Sequence, residues 1–149
     1  MEVNREFVRK LVDDALEAVR IIEEDCSKPF EALSRAERSE VRYYLVVLAE
    51  ALTALAYHLA RRLYGLEPAT PAQTLRLLAD RGLVSGDELA DLEGLVRLRN
   101  LLVHRYWVVD DRRIYESIRR DFRGVRRFLE RLRGALGVQV LQGRQGGES

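Results

Sequence analysis

The chain has 149 residues, a formal net charge of +1, and 33% charged and 47% hydrophobic residues. This composition is typical of a single soluble, mostly helical domain. The one cysteine, Cys26, excludes an internal disulfide, and two histidines far apart in sequence form no metal-ligand cluster, so no metal or cofactor is expected. Residues 1–10 lack the apolar segment of a signal peptide, which predicts a cytoplasmic location.

Two long segments with helical periodicity open the chain. Apolar residues at spacings of three and four predict a first helix over residues 4–25. Its stripe consists of Phe7, Val8, Leu11, Ala15, Val19 and Ile22. Ser34 and Glu37 match a capping box, which predicts a second helix over residues 34–64. This helix is apolar on most of its circumference, so it is buried at the centre of the bundle or shared with a second copy of the chain.

The longest apolar run, residues 43–60, lies within this second helix. It contains Glu50, Thr53 and His58, and we therefore interpret it as a buried helix rather than a membrane span. His58 is interpreted as a core or interface histidine. An acid at Glu50 is unusual there, and it is expected to pair with an arginine or to lie near a cleft.

Turn and capping signals divide the rest of the chain. Thr70 before a proline predicts a third helix over residues 71–81, and Ser85 with Glu88 predicts a fourth over residues 86–103. A fifth helix begins after Asp110 or Asp111. Its apolar stripe is Ile114, Ile118, Phe122, Val125, Leu129 and Leu132. The fold class is therefore an all-α antiparallel bundle of about five helices, with a domain over residues 1–136 and a flexible tail over residues 137–149.

The segment from Arg99 to Tyr106 combines side chains suited to RNA cleavage. His104 can both accept and donate a proton near neutral pH, and Arg99 offers a charged, planar set of donors to a phosphate. Asn100 lies four residues before His104, on the same helical face. Each residue also has a purely structural explanation. Arg99 could cap a helix or form an ion pair, and His104 could interact with the helix dipole. Tyr106 and Trp107 could be packing residues.

The spacing of Arg99 and His104 raises a geometrical problem. At about 100° per residue, the two side chains diverge by roughly 140° on an unbroken helix. Either the helix ends near Val103 and frees His104, or two copies of the motif face each other across a two-fold axis.

The pattern Arg-Asn-x-x-x-His-x-Tyr, formed by Arg99, Asn100, His104 and Tyr106, resembles the signature of the HEPN superfamily, specifically of the HepT-like toxins. The resemblance spans residues 4–133 and includes residues 42–45, 50–51, 63–71 and 77–82, and Asp110. It implies a homodimer with the motif at the dimer cleft, acting as a metal-independent endoribonuclease toxin. It also implies a partner, a nucleotidyltransferase antitoxin of the MNT type that can transfer AMP to Tyr106.

Roles follow for the individual residues. His104 is expected to act as general base or general acid, Arg99 to bind the scissile phosphate, and Asn100 to orient His104 or contact a phosphate oxygen. Arg105 and Arg42 are expected to add phosphate contacts. Two alternatives remain open: a non-catalytic domain that binds and regulates the nucleotidyltransferase, and a purely structural dimeric bundle.

Overall fold

The computed structural model describes residues 3–137, which form six α-helices and two short 3-10 turns. The helices are α1 (Arg5–Asp25), α2 (Arg35–Tyr64), α3 (Pro71–Asp80), α4 (Gly86–His104), α5 (Asp111–Asp121) and α6 (Arg123–Gly137). One 3-10 turn, Phe30–Ala32, follows α1, and the other, Tyr106–Val108, follows α4. Residues 3–137 contain no β-strand, so the all-α prediction is confirmed. Beyond Gly137, the predicted tail lies outside the described residues.

Local signals set most helix boundaries, as the sequence predicts. Ser34 accepts a hydrogen bond from the backbone N–H of Glu37 (3.1 Å), whose side chain accepts one from the Ser34 N–H (2.8 Å). Ser85 forms the equivalent capping box at the start of α4. The α2 helix ends at Gly65 in the left-handed conformation (φ 65°), which glycine adopts without steric cost. Each such cap contributes about 1 kcal/mol to stability.

The predicted fifth helix is interrupted, which gives six helices instead of five. The break lies at Phe122, between α5 and α6. The carboxylate of Asp91, on α4, accepts a hydrogen bond from the backbone N–H of Gly124 (2.9 Å) and so caps the first turn of α6. A Cβ at Gly124 would collide with this carboxylate. The interruption depends on a residue 33 positions away, so the local pattern did not reveal it.

The buried face of α1 differs slightly from the predicted stripe. It consists of Val8, Val12, Ala15, Ala18, Val19 and Ile22. Phe7, in the first turn of α1, is 41% exposed, and its ring lies against His58 at 5.0 Å between centroids. Nε2 of His58 accepts a hydrogen bond from the Asn4 N–H (3.2 Å). Burial, together with the charge of Arg62, lowers the pKa of His58, which favours the neutral, accepting form.

The α2 helix is the centre of the bundle and contacts α1, α3 and α4, whereas α6 packs on α1 and α4. Its buried residues are Val41, Leu45, Leu48, Ala49, Ala51, Leu52, Leu55, Ala56, Leu59 and Ala60. Within the described part of the chain, α2 alone is long and apolar enough to cross a membrane, yet half of its most apolar window is buried inside the bundle. This is the behaviour of a core helix.

Candidate functional site

The motif lies at the C-terminal end of α4. His104 is the last residue of this helix, and the backbone N–H of Arg105 donates to the carbonyl of Leu101 (2.7 Å). The helix is therefore unbroken from Arg99 to His104, and their side chains leave it in different directions. The His104 imidazole is exposed and has no hydrogen-bond partner within residues 3–137. It is thus open to a substrate group from outside the protomer.

Arg99 forms an ion pair with Glu50, the acid within the apolar stretch of α2. Its Nε donates to Oε1 of Glu50 (2.5 Å), and its Nη1 donates to Oδ1 of Asn100 (3.2 Å). The Arg99 side chain is 30% exposed, so part of the guanidinium faces solvent. The structure therefore brings Arg99, Asn100 and Glu50 together. The Asn100 oxygen is directed to Arg99, not to His104.

Arg42 holds the turn that carries Tyr106. Its Nε donates to Oδ1 of Asp111 (2.6 Å), its Nη1 to the Tyr106 carbonyl (2.9 Å) and its Nη2 to the Val109 carbonyl (2.8 Å). These contacts give Arg42 a positioning role that the sequence did not indicate, because the partners lie more than 60 residues away. The phosphate contacts expected of Arg42 and of the exposed Arg105 stay predictions.

The surface around the motif is unusually apolar. Among residues 3–137, eight large hydrophobic residues are exposed, and five of them lie between positions 101 and 108: Leu101, Val103, Tyr106, Trp107 and Val108. The rings of Tyr106 and Trp107 meet edge to face at 5.5 Å, and they are 62% and 69% exposed. They are therefore not packing residues of the protomer. Exposed apolar clusters of this kind are frequent at surfaces that bind other molecules.

The site offers no arrangement for a metal ion. Within residues 3–137, no group of three or more His, Cys, Asp or Glu side chains is placed to hold one. Around the end of α4 the site provides the exposed imidazole of His104, the guanidinium of Arg99 paired with Glu50, and the exposed phenol of Tyr106. These groups can transfer protons and bind a phosphate.

Comparisons with known proteins concern the family and the fold of the chain. A family model described as ribonuclease HepT-like matches residues 12–132. Among solved structures, a tri-AMPylated Shewanella oneidensis HEPN toxin in complex with MNT antitoxin is similar with a TM-score of 0.77 and 17% identity, covering 86% of this chain and 97% of that one. The cytosolic protein YutE from Bacillus subtilis, of unknown function, is similar with a TM-score of 0.79 and 18% identity, covering 93% of this chain and 95% of that one. For a Thermus thermophilus protein the TM-score is 0.65 and the identity 28%, covering 80% of this chain and 98% of that one. No match was found among curated protein sequences.

Proposed function

This chain belongs to the family of HepT-like ribonucleases, and we propose that it is a toxin that cleaves RNA without a metal ion, using Arg99 and His104. The observation that carries the proposal is the combination of an unpartnered, exposed His104 imidazole with an Arg99 guanidinium held by Glu50 at one helix end. The family match supports the same activity.

RNA supplies its own nucleophile, the 2′-hydroxyl, so the protein need only move protons and stabilise charge. In the proposed reaction the 2′-oxygen bonds to phosphorus as its proton passes to His104, and the bond to the 5′-oxygen breaks as that oxygen takes a proton from a second His104. The products end in a 2′,3′-cyclic phosphate and a 5′-hydroxyl. General acid–base catalysis of this kind contributes about 10²–10⁴ in rate, and charge stabilisation by Arg99 adds roughly 3–4 kcal/mol.

The second His104 comes from a second copy of the chain in this proposal. Arg99 and His104 diverge on an intact helix, so one protomer does not aim both at the same phosphate. A two-fold axis beside the end of α4 would bring Arg99 of one copy near His104 of the other and would cover Val103, which is 43% exposed. We therefore propose a homodimer with the site in its cleft.

We further propose that the partner of this toxin is an MNT-type nucleotidyltransferase and that both act in the cytoplasm. The similar S. oneidensis toxin is AMPylated and bound to such an antitoxin. In this chain the Tyr106 hydroxyl is accessible: its oxygen would bond to the α-phosphorus of ATP, releasing pyrophosphate and the phenol proton. The other candidate function, a non-catalytic domain that regulates this nucleotidyltransferase, is favoured by the same exposed apolar surface around Tyr106.

Cleavage of end-labelled RNA by the purified protein in EDTA distinguishes the two functions. We expect the wild-type protein to cleave RNA to cyclic-phosphate ends, and His104→Ala and Arg99→Ala to lose at least a hundredfold in rate while remaining folded. The matched control is His58→Gln, at the other histidine, which should cleave normally. An inactive wild-type dimer that still binds the nucleotidyltransferase would establish the regulatory function instead. A wild-type mass near 17 kDa at micromolar concentration would rule out the dimer.

A further inference from the structure

A groove of about 720 Å³ lies between α4 and α5, beside the motif. Its floor is apolar and is formed by Leu45, Leu95, Leu98, Ile114, Ile118 and Phe122. Two arginines, Arg97 of α4 and Arg113 of α5, stand at its sides. This volume lies within the range of small-ligand pockets, about 300–1,000 Å³. The feature is called the α4–α5 groove below.

The two arginines of the groove differ from most others in the bundle because they have no partner. Neither Arg97 nor Arg113 forms a hydrogen bond or ion pair within residues 3–137. Arg112, next to Arg113, is paired with Glu31. The two acids that line the groove both accept hydrogen bonds from backbone N–H groups: Asp91 from Gly124 and Asp110 from Arg112. The groove therefore combines an apolar floor with two unpaired cations.

The α4–α5 groove extends to within one helical turn of His104, although none of the four motif residues lines it. Arg97 precedes His104 by seven residues, or two helical turns, so the two side chains lie on nearly the same face with Cα atoms about 10 Å apart along the axis. Leu101, between them, lines the groove, and so does Val108 from the turn that carries Tyr106. An RNA strand bound at His104 would therefore reach the groove with the nucleotides next to the cleaved one.

We propose that the α4–α5 groove binds a nucleotide of the substrate RNA next to the one that is cleaved. Arg97 and Arg113 contact its phosphate, and the apolar floor contacts its base. Arginine is well suited to phosphate, and proteins that recognise single-stranded RNA hold splayed-out bases against apolar and aromatic side chains. The inference rests on the proposed RNA cleavage and adds to it a second binding site for the same strand.

The first test fills the groove without changing its charge. Gly94 lies in the groove wall, and a Cβ there would meet only the flexible end of Arg97, at 3.8 Å. Gly94→Leu should therefore fold, weaken binding of a 2′-O-methyl oligonucleotide at least tenfold and raise KM for RNA cleavage. The matched control is Gly134→Leu on α6, where a Cβ has no neighbour within 4 Å. Binding can be followed by the fluorescence of Trp107, the one tryptophan of the chain, which adjoins the groove-lining Val108.

The second test removes the charges. The double variant Arg97→Gln/Arg113→Gln should bind the same oligonucleotide ten- to a hundredfold more weakly, and the slope of log K against log salt should fall by about 1.4, as expected for two lost phosphate contacts to a single strand. The control is Arg9→Gln/Arg133→Gln, which loses the same charge at exposed positions of α1 and α6.

The outcomes separate this inference from the proposed function. If the wild-type protein cleaves RNA and the groove variants bind and cleave as it does, the inference is overturned and the ribonuclease stands. If the wild type binds the 2′-O-methyl oligonucleotide but leaves unmodified RNA uncut, and the groove variants lose that binding, the subsite stands without the ribonuclease. Unchanged RNA binding together with loss of dimerisation or of nucleotidyltransferase binding would make the groove a protein-docking surface and overturn the inference.

Discussion

The Glu50 carboxylate lies 2.5 Å from Nε of Arg99, joining the middle of α2 to the end of α4. Glu50 is 56% exposed, although it lies in the helix that forms the centre of the core. Nη1 of Arg99 in turn donates to Asn100. Two acceptors therefore hold the guanidinium in one orientation. An exposed ion pair adds little to stability, so we interpret the pair as a means of aiming Arg99.

Removing Glu50 should therefore impair catalysis more than folding. We expect Glu50→Ala to lower kcat for RNA cleavage about tenfold with KM little changed, because Arg99 loses its orientation but keeps its charge. Glu50→Gln retains an acceptor oxygen and should recover most of the rate. Steady-state kinetics and thermal unfolding of both variants check this. Equal losses in the Ala and Gln variants would show that the carboxylate charge matters instead of the hydrogen bond.

Arg42 provides a test of positioning against phosphate binding. Its planar guanidinium reaches Asp111 and the carbonyls of Tyr106 and Val109 at the same time, and a lysine ammonium does not reproduce that geometry. We expect Arg42→Lys to lose about 1–3 kcal/mol of stability, nearly as much as Arg42→Ala. Chemical denaturation measures the loss. If Arg42 served mainly as a phosphate contact, the lysine variant would keep wild-type stability and RNA affinity.

The sequence predicted the features that depend on neighbouring residues. The capping boxes at Ser34 and Ser85 and the left-handed Gly65 involve partners within a few positions, so the local sequence predicts them. The three bonds of Arg42 and the capping of α6 by Asp91 join residues that only the folded bundle brings together. For the same reason the motif residues were identified from their pattern, whereas the partner of Arg99 was left open.

Gly124 should tolerate no side chain. A Cβ there would collide with the carboxylate of Asp91, and that carboxylate cannot retreat without releasing the Gly124 N–H. We expect Gly124→Ala to lower the free energy of unfolding by about 1–3 kcal/mol. The control Gly134→Ala, in open space on the same helix, should raise it by about 0.5–1 kcal/mol, because alanine favours the helix. Urea denaturation of both variants checks the pair, and equal effects would contradict the collision.

Asp25 should make stability depend on pH. Burial, with the nearby Glu40 carboxyl and repulsion from Glu37 and Glu24, raises its pKa from 3.8 to about 6. The folded state therefore binds the proton more tightly than the unfolded state, and stability falls as the pH rises from 4 through 6. We expect Asp25→Asn to stabilise the protein by about 1 kcal/mol at pH 8, where the charge is present, and by nothing at pH 4. Thermal unfolding across this range measures the difference, and a constant gain at every pH would contradict it.

Tyr106 should be the residue through which the nucleotidyltransferase silences the toxin. Its ring is 62% exposed, on a turn that begins two residues after His104 and is held by Arg42. An AMP group on its oxygen would place a bulky anion beside Arg99 and Arg105, where it would exclude the RNA phosphate by volume and by charge. Co-expression with the nucleotidyltransferase should therefore raise the mass of Tyr106 peptides by one or more AMP units and abolish RNA cleavage.

Tyr106→Phe keeps the ring and removes the acceptor oxygen, so this variant should stay toxic when the nucleotidyltransferase is present. Tyr43→Phe is the matched control, because Tyr43 is 63% exposed but lies on α2, outside the turn. Its toxicity should be neutralised like that of the wild type. Mass spectra showing unmodified Tyr106 in a fully neutralised complex would contradict control by AMPylation, and inhibition would then result from covering the exposed surface around Tyr106 and Trp107.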